Sequence, residues 1–131
     1  MKKTTLLLVL IFSFVFALVG CSKQAEPIVL PAVDEIDSIE ITAINGSQVS
    51  YSDKEWIEQL LSVFLQAEAT TLQSIQDVPN VENYGKVDIS NNGGITTVFY
   101  YVDSGKYYIE QPYQGIYETD VDIDALISGV E

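Results

Sequence analysis

The sequence predicts an α+β domain in which a mainly antiparallel sheet of four or five strands packs against one amphipathic helix, with a short C-terminal helix. Three observations carry this expectation. Trp56, Ile57, Leu60, Leu61, Phe64 and Ala67 recur at helical spacing behind a capping sequence. Asn45-Gly46 stands between two alternating apolar runs, the strongest short-range hairpin signal. Two later turns, Asn91-Asn92-Gly93-Gly94 and Ser104-Gly105, impose strand registers that agree on which side chains face inward.

The first twenty residues read as an address and not as part of that fold. Met1-Lys2-Lys3 is a basic start, and Leu6 to Val19 is apolar except for Ser13. That run, about 14 residues, suits a signal core and falls short of the roughly 20 needed to span a bilayer as a helix. Read as a helix of the domain, the segment would leave no polar face from Leu6 to Phe12 and no use for the single cysteine. Leu18-Val19-Gly20-Cys21 resembles the bacterial lipobox, which implies cleavage before Cys21 and a diacylglycerol on its thiol. Two acyl chains anchor stably, each buried methylene contributing about 0.8 kcal/mol. The expected division is a signal peptide over 1–20, a lipidated N-terminus and flexible tether over 21–35, and one globular domain over 36–131. The tether reading rests on Pro27, Pro31 and the lack of any period. Stretched at roughly 3.3 Å per residue, it would reach some 40 Å from the membrane.

Within the domain, Ile39, Ile41 and Ala43 alternate with Glu40 and Thr42 as a half-buried strand, and Val49 and Tyr51 continue the pattern after the turn. Pairing Ala43 with Val49 and Ile41 with Tyr51 gives one continuous apolar face and makes Asn45-Gly46-Ser47 the loop. The last loop position then carries Ser47 where glycine is favoured, so burial and turn chemistry disagree. Ser52-Asp53-Lys54-Glu55 reads as a capping box opening a helix over about 53–68, with Tyr51 and Trp56 as a flanking hydrophobic staple. Trp56 reads as a packing anchor. Thr70 to Ile75 reads as a short strand, and Asp77-Val78-Pro79-Asn80 as a turn. From Tyr84 a three-stranded meander follows, pairing Val87 with Val98, Gly85 with Tyr100, Val102 with Tyr107 and Tyr100 with Ile109. Val87, Ile89, Val98, Tyr100, Val102, Tyr107 and Ile109 then share the core face, and Phe99, Tyr101 and Tyr108 lie opposite. A short helix is expected around Ile123 to Ser128.

Composition narrows the function. The chain of 131 residues has 19 acids against six lysines, no histidine and a single cysteine. Without histidine there is no Ser-His or Cys-His pair, and with one cysteine no disulfide, CxxC pair or multi-thiolate zinc site. Loss of residues 1–20 would leave Lys23, Lys54, Lys86 and Lys106 as the basic side chains, which disfavours nucleic acid and anionic headgroups. No cofactor is expected, and no Ser-Lys or paired-carboxylate spacing marks an enzyme.

Two stretches are candidate sites. Tyr107 to Tyr117 supplies Tyr108, Gln111, Tyr113, Gln114 and Tyr117, which with Tyr101 form a candidate surface for a sugar or peptide strand. The plainer reading is a last strand, an exit at Pro112 and a loop whose rings cover the open sheet face. Asp120, Asp122, Asp124 and Glu131 fall at positions 1, 3, 5 and 12 of an EF-hand-like loop, an alternative in which the protein binds calcium. Ala125 stands where that loop needs glycine, and Val121 and Ile123 suggest a strand end feeding a helix capped by Asp122 or Asp124.

Asp77-Val78-Pro79-Asn80-Val81 with Tyr84, followed by Gly105-Lys106-Tyr107-Tyr108-Ile109-Glu110-Gln111-Pro112-Tyr113-Gln114-Gly115-Ile116-Tyr117, resembles a domain-of-unknown-function family of small surface lipoproteins from low-GC Gram-positive bacteria. The second block is also similar to the outer domain of some membrane-embedded antibiotic-sensing metallopeptidases. The resemblance implies a ligand- or partner-sensing module on the outer face of the cell membrane and brings no catalytic residues. The expectation is therefore a lipid-anchored, non-catalytic binding module with a protein or peptide partner.

Overall fold

The computed structural model describes residues 23–129. The signal-like segment, Cys21 and Glu131 lie outside the described residues. No helix among those described is long and apolar enough to cross a membrane.

Seven antiparallel strands form one sheet: β1 (Ile36–Thr42), β2 (Gln48–Tyr51), β3 (Glu68–Ala69), β4 (Gly85–Asn91), β5 (Gly94–Asp103), β6 (Lys106–Gln111) and β7 (Gly115–Thr119), in the order β2-β1-β4-β5-β6-β7-β3. Helix α1 (Lys54–Gln66) carries the chain from the β2 edge to the β3 edge, and α2 (Ile123–Ser128) follows β7. The α+β class stands; the strand number exceeds the expected four or five. The excess lies in β7, where a loop is expected after Pro112, while β3 is only two residues long. Glu68 and Ala69 pair with Glu118 and Tyr117, so the expected strand at Thr70 to Ile75 lies a few residues earlier. Extended backbone can only ladder where a partner edge is free, and β7 offers one there.

The first hairpin reconciles burial with turn chemistry. Ile41 faces Val49 and Ile39 faces Tyr51, two residues from the expected register. The loop is Ile44-Asn45-Gly46, closed by Gly46 N–H to the Ala43 carbonyl at 2.8 Å and Ala43 N–H to the Ser47 carbonyl at 2.8 Å. A slip of two residues preserves side-chain parity, so the apolar face survives. Gly46, with φ of 87°, now occupies the left-handed position. The meander matches the expected registers, including Gly85 opposite Tyr100, Val87 opposite Val98 and Val102 opposite Tyr107. Positive φ at Asn92, Gly93, Ser104 and Gly105 makes both turns the primed type that suits twisted strands.

Helix α1 begins one residue later than the capping box predicts. Asp53 is the N-cap, its carboxylate accepting from Trp56 N–H at 2.9 Å. Aspartate competes well with serine for that place and adds charge to the helix dipole. Tyr51 stacks on Trp56 with centroids 3.8 Å apart, and its hydroxyl donates to the Ile127 carbonyl at 2.6 Å, joining β2 to both helices. Trp56 is an anchor as expected, although its buried indole N–H has no partner among the described residues.

The core joins Trp56, Ile57, Leu60, Leu61 and Phe64 of α1 to Ile39, Ile41, Val87, Ile89, Val98, Tyr100, Ile109 and Tyr117 of the sheet, and to Ile123 and Ile127 of α2. Val102 shares the inward side but is 47% exposed. Pleat direction sets the side a residue faces, not whether anything covers it. The opposite face is covered too. Phe99 and Tyr101 are buried there, Tyr84 packs edge-on against Phe99 at 5.4 Å, and Ser74 Oγ donates to buried Glu110 at 2.7 Å. The segment between β3 and β4 therefore forms a third layer over the centre of the sheet.

The segment expected as a tether is docked. Ile28 enters the core, and Ala25 N–H donates to the Thr70 carbonyl at 2.9 Å. After it, Lys54 Nζ donates to the carbonyls of Val33 and Ile36 around a short 3-10 turn. The packed domain thus begins near residue 25, not 36. Prolines exclude ladder pairing at two positions, but they do not stop the residues between them from binding side chains of the sheet.

Glycine at 85 is required by the Tyr100 ring, since a Cβ there would stand 2.1 Å from Tyr100 Cε1. Gly85→Ala is expected to lower stability by roughly 1–3 kcal/mol through displacement of that ring. Urea unfolding should show a lower midpoint at unchanged slope; an unchanged midpoint would show that the ring moves freely.

Candidate functional site

The six residues read as one candidate surface do not form one. Period-two alternation divides them between the two sides of the sheet. Tyr101 and Tyr108 are a cross-strand pair on the outer side, stacked at 5.6 Å and 20°. Tyr101 is only 6% exposed, and Tyr108 is half-buried. Burial, then the charge of Glu110, pushes the Tyr101 phenol up to about 12. The pair offers little free ring surface.

Gln111, Gln114 and Tyr117 do bind an extended peptide, and it belongs to the same chain. Gln111, 8% exposed, accepts from Val29 N–H through Oε1 at 2.8 Å and donates to the Val29 carbonyl through Nε2 at 2.7 Å. One side-chain amide thereby replaces the donor and acceptor of a neighbouring strand. Gln114 Nε2 donates to the Pro27 carbonyl at 2.7 Å, and the Tyr117 hydroxyl donates to the Glu26 carbonyl. Burial, then Glu26, raises the Tyr117 phenol above its ordinary value. Gly115 completes the cradle. A Cβ there would lie 2.3 Å from Ala25 Cβ, so only glycine lets the segment approach β7 this closely. These side chains are thus taken up by residues 25–30 of the same chain.

Tyr113 remains open. It is 66% exposed at the tip of the β6–β7 turn, with φ of 61°, where a tight turn ordinarily places glycine or asparagine. Its hydroxyl donates to Asp77 Oδ1 at 2.7 Å, tying the turn to the β3–β4 segment.

The acidic stretch is engaged with tyrosines. Asp122 caps α2, accepting from Ala125 N–H and from the Tyr107 hydroxyl, each at 2.9 Å. Asp124 accepts from the Tyr100 hydroxyl at 3.1 Å, and its other oxygen lies 2.9 Å from the Tyr107 hydroxyl, whose one proton is shared between the two aspartates. These contacts clamp α2 over the end of β5 and β6, in line with the capping role weighed for Asp122. Asp120 is exposed outside that network. Among the described residues, no three His, Cys, Asp or Glu side chains gather as a metal-holding group. Burial first, then the aspartates, raises the Tyr100 and Tyr107 phenols above their ordinary range. The Ala125 N–H first, then Tyr107, lowers the Asp122 carboxyl.

Sequence reading missed the docking role of Ala25 to Leu30 and the pairing of Ser74 with Glu110. A glutamine followed by Pro-Tyr-Gln-Gly carries no signal that its amide seeks backbone eighty residues upstream. The exposed Leu72 and Ile75 were assigned to a strand, yet nothing there pairs with them.

A seven-stranded sheet whose polar side chains bind its own N-terminal segment defines a small self-clamped α+β module. The chain belongs to the DUF5301 family, described as a domain of unknown function (DUF5300), whose model matches residues 24–118. That match starts one residue before the docked segment and ends before α2. A solved structure described as the NMR structure of the protein from Ruminococcus gnavus is 46% identical, with a TM-score of 0.68, over 76% of this chain and 97% of that one. No curated protein matches.

Two expectations follow. Gln111→Glu, which cannot donate to the Val29 carbonyl while ionised, should cost about 1–3 kcal/mol and speed hydrogen exchange at the Val29 N–H. Unaltered exchange would mean that the amide is not the clamp. The α2 docking should also weaken at both pH extremes. The lowered Asp122 carboxyl contributes above its ordinary value of 3.8 and is lost as pH falls below that through the folded value. The raised phenols contribute below pH 10 and are lost as pH rises beyond it. Exchange at the α2 amides against pH measures both limbs, and Asp122→Asn should blunt the acid one.

Proposed function

We propose that this chain is an extracytoplasmic lipoprotein anchored through diacylglycerol on Cys21, and that its domain is a non-catalytic binding or sensing module on the outer face of the cell membrane. The observation that carries the anchored reading is the start of the packed domain. Its first backbone pin, Ala25 to Thr70, lies four residues after the lipobox-like cysteine. The signal-like segment is therefore followed at once by folded protein, as expected of a leader removed from a surface domain. The family match beginning at residue 24 supports the same boundary.

The non-catalytic part rests on how the polar groups are used. Gln111, Gln114 and Tyr117 hold the N-terminal segment, Asp122 and Asp124 hold α2, and Ser74 and Glu110 hold the outer layer to one another. The outcome is a display scaffold whose partner would be a protein or peptide at the cell surface.

Growth with an alkyne fatty acid tests the anchor. Label should enter the wild-type protein, which should partition into detergent, and both properties should vanish in Cys21→Ser. A protein recovered with a free thiol and its first twenty residues attached would overturn the proposal.

A further inference from the structure

Three of the exposed apolar side chains gather at one place. Leu72 is 53% exposed, Ile75 73% and Tyr113 66%, and all three line one open cleft together with Lys23, Gln24 and Ala25. The cleft lies where the N-terminal segment enters the fold, over Gly115 and beside the β6–β7 turn.

We infer that this face, built from Leu72, Ile75 and Tyr113, seats the domain on the outer leaflet of the bilayer that holds Cys21. The inference rests on the anchored reading above and adds to it which face meets the lipid. Covalent reach is the first argument. From Cys21 to the pin at Ala25 the chain can span at most roughly 14 Å. The polar headgroup region on each side of the hydrocarbon is itself some 5–8 Å deep. Even at full stretch this end stays within roughly 6–9 Å of the headgroup surface, whereas the tether expected from sequence would reach some 40 Å.

The chemistry of the face is the second argument. Leucine and isoleucine side chains exposed together suit the acyl boundary, and tyrosine is enriched where an apolar ring and a polar hydroxyl must meet the interface. Lys23, 80% exposed at its side chain and paired with Glu26 at 3.3 Å, has the long stem that lets an ammonium reach the headgroup level. Backbone conformation is the third. Tyr113 keeps a positive φ that disfavours bulky side chains, and its ring gains no burial within the domain in return. The Asp77 bond holds the turn and the loop that bears Ile75 as one unit, so the three side chains present a formed surface.

The test uses full-length protein purified from membranes with Cys21 acylated, as checked by intact mass, and reconstituted in phosphatidylcholine vesicles. Ile75→Cys and, as a control at the other end of the sheet, Val102→Cys are each labelled with a polarity-sensitive fluorophore. The probe at position 75 should shift to the blue and resist an aqueous quencher several-fold better than the probe at 102. Equal quenching at both positions in acylated protein would overturn the seating while leaving the anchor intact. Protection at 75 that arises in whole cells and not in pure lipid vesicles would assign the face to a protein neighbour and overturn it too. A free Cys21 thiol with the leader retained would remove both readings.

Discussion

One helix cannot cover this sheet. Seven strands spaced about 4.8 Å apart span roughly 29 Å between edges, whereas a helix with its side chains is 10–12 Å wide. Helix α1 crosses the inner face from one edge to the other and buries its apolar stripe there. The area left on either side must be closed by other segments or the sheet would expose its aliphatic rows to water. The N-terminal segment closes one area with Ile28, and α2 closes the other with Ile123 and Ile127. Burying each such isoleucine contributes about 1.5–3 kcal/mol. That is a large share of what a domain of this size retains.

Both covers are short, and neither could fold alone. Each is held by polar side chains that reach out of the sheet toward backbone or carboxylate. Gln111 and Tyr117 hold the N-terminal strip, and Tyr100 and Tyr107 hold α2. The abundance of tyrosine and glutamine in β5 to β7, which looks like a ligand platform in one dimension, follows from this demand. A phenol can pack its ring in the core and still deliver a hydroxyl to the rim, which an aliphatic side chain cannot. The outer face solves the same shortage differently, with a loop in place of a helix, and the buried Ser74–Glu110 bond fixes that loop.

Docking of the N-terminal strip also alters the geometry of anchorage. A free tether would let the head sample a wide shell above the lipid; a strip pinned from Ala25 restricts both its height and its orientation. Under the proposed lipidation at Cys21, the surface around the entry point faces the membrane. Net negative charge on the domain favours cationic partners.

Local pattern and turn chemistry were enough for α1, α2 and the two primed turns with their registers, because those features are decided by neighbours in sequence: spacing of apolar residues, a cap, a glycine in the left-handed region. The first hairpin was legible in parity and not in register, since a shift of two residues leaves every side chain on the same face. Strands β3 and β7, the covering loop and the docked strip were not legible. Their identity depends on which distant edge or amide is available, and Gln111 meeting Val29 leaves no trace in either local sequence. The candidate site divided for a related reason. Adjacent residues of a strand point to opposite faces, so a run of tyrosines becomes a buried stack, a core ring and one exposed tip. The sequence alone determined the two helices, the primed turns and the parity of the strands they join; the tertiary structure decided what each side chain touches, because that depends on area left uncovered by everything else.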